Sequence, residues 1–396
     1  MRNIARTMGS AIRTAAGSFP AVVVTGPRRA GKTTLLRRLF PKAQYWLLED
    51  PDLRLRVRSD PRSFLAEVEP PAILDEMQNA PELFAYIRTR IDAEPRRCGQ
   101  WLLTGSQEAA LMQGVTESMA GRAAVFQLLP LSTIESAKVT LHRGGFPEVV
   151  ASPRTADLWL RSYVQTYLER DVRAVTAIRD LATFRRFLAL VASRCGQLLN
   201  KTDLAAPLGV SVPTVGEWLS ILEITGQVML VPPYYENFGK RLVKSAKLYF
   251  VDTGLLCHLL GIESARQLES SPFLGTVYES FVATEIAKAQ LAAGRRRELY
   301  HFRDQQGLEV DFVVPGAGGA LMLVEAKASR TVSPAMAAPI QRLMAAGGRF
   351  TAAMVVHRQD PRAARTSALV PGVAAVGLRQ LLAAVAPKVA RGRRQA

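Results

Sequence analysis

The segment GPRRAGKT, residues 26–33, constrains the fold of this 396-residue chain more than any other stretch. It matches the pattern GxxxxGK[ST] in full, and its surroundings fit, because Ala21–Thr25 is predicted as a buried strand and Thr33–Phe40 as a helix. In this pattern backbone N–H groups turn onto phosphates, the lysine neutralises the β- and γ-phosphates, and the Ser or Thr hydroxyl binds Mg²⁺. The segment predicts an α/β domain that binds ATP and Mg²⁺ through Gly26, Pro27, Arg28, Arg29, Ala30, Gly31, Lys32, Thr33 and Thr34.

A second motif, AILDEMQ at residues 72–78, is an apolar strand that ends in two acids. We expect Asp75 to hold Mg²⁺ together with Thr33, and Glu76 to orient and deprotonate the attacking water. The alternative is an acidic strand end in a loop. The spacing from Lys32 favours the catalytic interpretation.

Two further residues are candidates for contact with the γ-phosphate. Thr104, or else Ser106, ends the short apolar strand predicted within residues 100–107, although a plain strand-to-turn transition explains these hydroxyls almost as well. Arg122 follows a glycine and precedes another strand, from which it can reach a γ-phosphate in its own subunit or across a ring interface. A surface arginine is the alternative.

The composition indicates which class of partner and which cellular compartment to expect. Lys and Arg number 51 against 34 Asp and Glu, a net charge of +17 that favours a polyanion such as DNA, although an arginine-rich proteome has the same effect. Three isolated cysteines predict neither a disulfide framework nor a zinc site, and fit a reducing cytoplasm. The apolar stretch 368–387 is interrupted by proline and glycine, so no membrane span is expected.

The middle of the chain has the pattern of a helix-turn-helix followed by a two-stranded wing. Thr202 and Ser211 are expected to cap two helices, with Gly209 in the turn between them. Two strands are predicted to follow, within 227–235 and 247–251. The basic residues on the wing are predicted to contact DNA phosphates with weak sequence preference; they are Lys240, Arg241, Lys244 and Lys247. A winged helix that serves only as a packing module is the alternative.

The last third carries a second set of acids. A helix over 275–291 bears Glu279, a hairpin over 298–314 bears Asp311, and a buried strand over 320–329 bears Glu325 and Lys327 on one side. Asp311 and Glu325 can share Mg²⁺ at a scissile phosphate while Lys327 orients a water. The alternative is a binding module in which Lys327 merely bridges Glu325.

Together these motifs resemble the AAA-type P-loop ATPases of bacteria and archaea that carry an uncharacterised C-terminal domain, and the resemblance spans nearly the whole chain. The acids of the last third resemble the PD-(D/E)xK nuclease superfamily. The resemblance implies an ATPase core (1–140), a helical lid (141–182), a winged helix (183–252), a restriction-endonuclease-like α/β domain (253–386) and a basic tail (387–396).

Two functions follow as hypotheses. The first is a DNA-processing ATPase, which forms a homo-oligomer and possibly a ring if Arg122 acts across subunits. The second is a nucleotide-gated switch that regulates a protein partner, with the winged helix as a hinge. A transcription regulator is a weaker third possibility, because the exposed face of the second helix carries no arginine to read guanine.

Overall fold

The computed structural model describes residues 4–106, 115, 117–168, 181–234, 244–316, 319–347, 349–359 and 368–386. The strands of this part, in chain order, are β1 (Ala21–Thr25), β2 (Gln44–Leu47), β3 (Ala72–Asp75), β4 (Trp101–Thr104), β5 (Ala123–Gln127), β6 (Val228–Val231), β7 (Lys247–Phe250), β8 (Tyr300–Arg303), β9 (Glu309–Pro315), β10 (Leu321–Lys327), β11 (Phe350–His357) and β12 (Ala374–Val376).

The helices of the same part fall before, between and after these strands. They are α1 (Gly9–Ala16), α2 (Lys32–Leu39), α3 (Pro51–Ser59), α4 (Pro61–Glu67), α5 (Leu83–Ala93), α6 (Pro147–Ala151), α7 (Ala156–Tyr163), α8 (Leu181–Ser193), α9 (Lys201–Ala205), α10 (Val212–Ile224), α11 (Thr253–Leu259), α12 (Ala265–Ser270), α13 (Leu274–Ala292), α14 (Ala338–Ala345) and α15 (Leu378–Val385).

The first sheet is parallel and has the strand order β2-β3-β4-β1-β5. Strand β1 is buried on both faces, since Val22 and Val24 pack into one apolar cluster while Ala21 and Val23 pack into another. The predicted strand Ala21–Thr25 and the helix after it are confirmed. The parallel arrangement brings the carboxyl ends of β1, β3 and β4 to one edge of the sheet, where the motif residues lie.

The segment predicted as a helical lid is mostly helical from Pro147 onwards, where it is described. Helices α6 and α7 occupy its first part, and a π-helical turn, Val164–Leu168, continues α7. The remainder of the predicted lid falls largely on residues 169–180, which lie outside the described residues.

The middle segment places helices α8, α9 and α10 before the antiparallel pair β6–β7. The cap of α10 is confirmed, because Ser211 accepts a hydrogen bond from the Thr214 N–H. The cap predicted for α9 is wrong: Asn200, two residues earlier, accepts from the Thr202 and Asp203 N–H groups. An Asn side chain at this position caps as well as a Thr does, so the helix begins before Thr202.

The second sheet has the order β12-β11-β10-β9-β8. Strand β9 is antiparallel to both of its neighbours, β8 and β10, whereas β10, β11 and β12 run parallel, with α14 in the connection between β10 and β11. Helix α13 contacts β10 and β7. This places its acidic residues beside those of β9 and β10.

One apolar cluster runs through all parts of the chain. It contains Ile12 and Val24 of the first sheet's layer, Phe187 of α8, Val324 of β10 and Leu382 of α15. This cluster connects the described parts of the chain, and three smaller clusters lie beside it.

Candidate nucleotide site and a second charged cluster

The loop after β1 has a backbone shape that only particular residues can adopt. Gly26 has φ = 138° and Gly31 has φ = 95°. A Cβ on Gly26 would lie 2.1 Å from the carbonyl oxygen of Leu128, so a side chain has no room there. The loop is thus held against the segment that follows β5.

Lys32, at the start of α2, is buried inside this loop. Its Nζ donates hydrogen bonds to the carbonyl oxygens of Gly26 and Pro27, each at 3.0 Å. The ammonium group is therefore already positioned within the ring of backbone that the motif supplies for phosphates.

Asp75 lies next to Thr33 at the same edge of the sheet. The Thr33 hydroxyl is 2.9 Å from Asp75 Oδ2 and donates to that carboxylate, as do the hydroxyls of Tyr45, at 2.8 Å, and Thr104. The predicted pairing of Thr33 and Asp75 is present in this geometry. A hydroxyl beside a carboxylate is an oxygen donor set that suits Mg²⁺, and these two residues would hold it to neutralise the phosphates.

The backbone turns sharply at Glu76, directly after the end of β3. It has φ = 60° and ψ = 49°, in the left-handed region, where a non-glycine residue is uncommon and often belongs to a functional site. Its N–H is 3.4 Å from the Thr104 hydroxyl, and its carboxylate accepts a hydrogen bond from Gln78. Thr104 is fully buried and contacts Asp75, so its visible role is to hold the two acids.

A cavity of about 660 Å³ joins these groups, a size in the range of small-molecule sites. Its polar side is formed by residues 28–34 together with Asp75 and Glu76, and its other wall is formed by residues of α1, the end of α2 and the start of α6. The cavity brings together the predicted phosphate loop and the predicted acids.

Arg6 and Glu148 line this cavity and were not identified from the sequence. Arg6 donates to the carbonyl oxygens of Ala30, at 2.7 Å, and Leu129, at 2.6 Å, and pairs with Glu135. Glu148, at the start of α6, lies near Arg29, and burial raises its pKa. No local signal marks Arg6, whereas Glu148 stands in the segment GGFPEVV, residues 144–150, at the start of the predicted lid.

Arg122 is not near this site. Its carbonyl oxygen accepts a hydrogen bond from the Ala21 N–H, at the amino end of β1, which is the edge of the sheet opposite Lys32. Its guanidinium forms two hydrogen bonds with Asp92, at 2.6 and 3.0 Å. The prediction that it reaches a γ-phosphate in its own subunit is therefore wrong, and a role across subunits stays a prediction.

The acids of the last third do come together, and we call Glu279, Glu309, Asp311 and Glu325 the acidic cluster. Lys327 Nζ is 2.7 Å from Glu325 Oε1, which confirms that the two side chains share one side of β10. The Asp311 N–H is 3.4 Å from Glu325 Oε2. Glu309 is the member that sequence reasoning missed.

Lys247 was predicted to contact DNA, and that prediction is wrong. Its side chain is only 3% exposed and lies in the acidic cluster, where its Nζ pairs with Glu279, Glu309 and Asp311. Lys244 is exposed, and its contact with DNA stays a prediction. Lys240 and Arg241 lie outside the described residues.

Burial and mutual repulsion change the protonation of the acidic cluster. Burial, with Asp311 nearby, raises the pKa of both Glu279 and Glu325 to about 7. Burial alone would lower the pKa of Lys247, but Glu279, Asp311 and Glu309 raise it above its ordinary value, so this ammonium stays charged.

The described residues also bear on metal binding and on insertion into a membrane. In that part of the chain, no three His, Cys, Asp or Glu side chains are arranged to hold a metal ion. None of the helices described is both long and apolar enough to cross a bilayer.

Three family models match successive parts of the chain. An AAA domain matches residues 18–137, which include the whole phosphate loop, Asp75 and Glu76. Two domains of unknown function follow, DUF8612 over residues 134–266 and DUF4143 over residues 274–379.

The chain is 34% identical over 321 residues to the uncharacterized protein Rv2008c of Mycobacterium tuberculosis and, equally, to Mb2031c of Mycobacterium bovis. Each match covers 79% of this chain and 71% of the relative. Among solved structures, the Walker-type ATPase PABY2304 of Pyrococcus abyssi is similar at 13% identity, with a TM-score of 0.44, over 64% of this chain and 94% of that one.

Proposed function

We propose a function from the premise that this chain belongs to a family of AAA-domain P-loop ATPases. The chain hydrolyses ATP at the site formed by Lys32, Thr33, Asp75 and Glu76, and it uses that energy to remodel or process branched or broken DNA. ATP and Mg²⁺ are its cofactors, and DNA is bound mainly through the phosphate backbone.

The net positive charge of the chain is the observation that supports DNA binding. A net charge of +17 and a pI near 10.3 create a field that attracts a polyanion. The segment 387–396, with four arginine or lysine residues among its ten, adds to this charge outside the described residues. Exposed Lys244 before β7 is the described member of the predicted wing that faces solvent.

The shape of the middle and last parts supports the same proposal. Helices α8 to α10 followed by the β6–β7 pair have the order of a winged helix, a fold that commonly docks on DNA. The antiparallel β8–β9–β10 unit, with parallel β11 added after α14, has the order expected of a nuclease-like domain. We propose that this domain grips DNA.

The test is the effect of DNA on ATP turnover and the effect of salt on DNA affinity. Forked duplex DNA should raise the rate of phosphate release, and log affinity should fall linearly with log salt concentration. In a plot of log affinity against log salt concentration, Lys244→Ala should reduce the magnitude of the slope by about one, which corresponds to one phosphate contact fewer. Lys138→Ala removes an exposed lysine elsewhere and should leave this slope unchanged. Turnover that ignores DNA, together with affinity that ignores salt, would overturn the proposal.

A specific set of contacts favours a second candidate, a nucleotide-gated switch. The Tyr163 hydroxyl lies 3.5 Å from the carbonyl oxygen of Arg28 in the phosphate loop and accepts a hydrogen bond from Gln227 of the middle segment at 2.9 Å. In addition, Glu285 of α13 accepts a hydrogen bond from the Thr133 N–H at 2.8 Å. Nucleotide binding can thus alter contacts far from the loop, and a partner protein can bind the altered surface. ATP-dependent binding of a protein partner with DNA-independent turnover would favour this candidate.

A further inference from the structure

The acidic cluster of the last third is filled by a cation of the chain itself. Lys247, the first residue of β7, places its Nζ 3.0 Å from Glu279 Oε1, 2.5 Å from Glu309 Oε1 and 3.7 Å from Asp311 Oδ1. Its side chain is 3% exposed, so water does not compete for these contacts.

The oxygen atoms of the cluster are already engaged by hydrogen-bond donors. Glu279 Oε1 also accepts from the Tyr249 hydroxyl at 2.6 Å, and Asp311 Oδ2 accepts from the Ala326 N–H at 2.9 Å. Glu325 uses Oε1 for Lys327 and Oε2 for the Asp311 N–H. Mg²⁺ requires a near-octahedral shell of oxygens, which this arrangement does not offer.

Charge balance leads to the same result. When all four carboxylates are ionised, they face Lys247, Lys327 and Arg303, whose guanidinium is 2.9 Å from Glu309 Oε2, so four negative charges meet three positive ones. Without Lys247 the balance would be two negative charges, which is the deficit that a divalent cation removes. Buried carboxylates need such compensation, and Lys247 supplies it.

We infer that Lys247 is the resident cation of the acidic cluster and occupies the place where a nuclease of the resembled superfamily would bind a divalent metal. The residues present therefore do not fit a metal-dependent cutting site while Lys247 is in place. If the last third binds DNA as proposed above, it does so with a cluster whose charge the chain itself largely balances, and this lysine joins the β6–β7 pair to that cluster.

Metal binding by variants tests the inference in the full-length, nucleotide-free chain. The number of bound Mn²⁺ ions, counted by electron paramagnetic resonance, should rise by one in Lys247→Met relative to the wild type. Mn²⁺ should also raise the unfolding temperature of Lys247→Met more than that of the wild type. Lys244→Met removes an exposed lysine three residues away and should change neither quantity.

The comparison between wild type and Asp311→Asn decides the question even if Lys247→Met fails to fold. We expect equal Mn²⁺ counts in these two proteins and no Mn²⁺-dependent cutting of branched DNA by either. A wild-type Mn²⁺ site that Asp311→Asn removes would overturn the inference. A folded Lys247→Met that gains no Mn²⁺ site would also overturn it.

Discussion

Thr33 and Asp75 meet directly, with the Thr33 hydroxyl 2.9 Å from one carboxylate oxygen of Asp75 and 3.0 Å from the other. The two residues lie 42 positions apart in the chain, one at the start of α2 and the other at the end of β3. Their contact joins the phosphate loop to the acidic strand end within one site.

This contact predicts that the two residues act as a unit in Mg²⁺-dependent hydrolysis. Thr33→Val and Asp75→Asn should each raise the Mg²⁺ concentration needed for half-maximal ATP turnover, and the double variant should be little worse than the worse single one. Such non-additivity is expected of residues that share one interaction. Phosphate release measured across a Mg²⁺ series checks this, and additive losses would contradict it.

Substitutions of Glu76 and of Lys32 should affect the ATPase reaction in different ways. Glu76→Gln should keep ATP bound but lower turnover about 10²-fold or more, because the acid that activates water is gone. Lys32→Ala should abolish hydrolysis while the fold remains. Single-turnover assays with a nucleotide-binding measurement separate these outcomes, and Glu94→Gln, an exposed glutamate beyond α5, is the matched control. Normal turnover in Glu76→Gln would show that another group activates the water.

Gly26→Ala should disrupt the phosphate loop. The new Cβ would lie 2.1 Å from the Leu128 carbonyl oxygen, and the backbone has a positive φ, so we expect a loss of about 2 kcal/mol or more in the free energy of unfolding. Nucleotide binding should fall with it. Gly275→Ala in α13 meets no atom within 4 Å and should be neutral or stabilising. Urea unfolding of both variants checks the contrast.

The acidic cluster should make stability fall as pH rises from about 4.5 to 7. Glu279 and Glu325 have folded-state pKa values raised to about 7, so the folded chain binds more protons than the unfolded chain in this window. Each group then lowers the free energy of unfolding by at most about 1.4 kcal/mol per pH unit. Glu309, whose pKa is lowered, affects the pH dependence of the free energy of unfolding only below this window.

Urea unfolding from pH 5 to pH 8 measures the slope. Glu279→Gln should flatten it, whereas Glu263→Gln, an exposed glutamate, should leave it as in the wild type. An unchanged slope in Glu279→Gln would show that this carboxyl does not titrate with a raised pKa.

The nucleotide site was accessible from the sequence because its signals are local. The glycines and Lys32 stand within eight residues, and the parallel sheet then brings the end of β3 beside them. Arg6 and Glu148 could not be found in this way. They reach the loop only because the chain before β1 and the start of α6 pack around it, and neither contact has a repeating pattern.

In the last third of the chain, prediction from sequence succeeded for one charged pair and failed for one lysine. Alternation along β10 predicted the shared side of Glu325 and Lys327 correctly. The role of Lys247 was predicted wrongly, because its neighbours in sequence indicate an exposed basic strand, whereas its burial is decided by α13 and β9, at least 30 residues later. A charged residue on a short strand does not reveal from sequence which layer will cover it.

The packing of α13 on the segment after β5 has a consequence for how the chain can be divided. Phe281 of α13 packs with Leu131 and Val150, and Lys288 donates to the Leu131 carbonyl oxygen at 3.0 Å, so the last third covers the segment that follows β5. A fragment ending near residue 140 would expose this surface to water. The nucleotide-binding third is therefore not an autonomous folding unit, and truncation is a poorer way to study it than substitution in the intact chain.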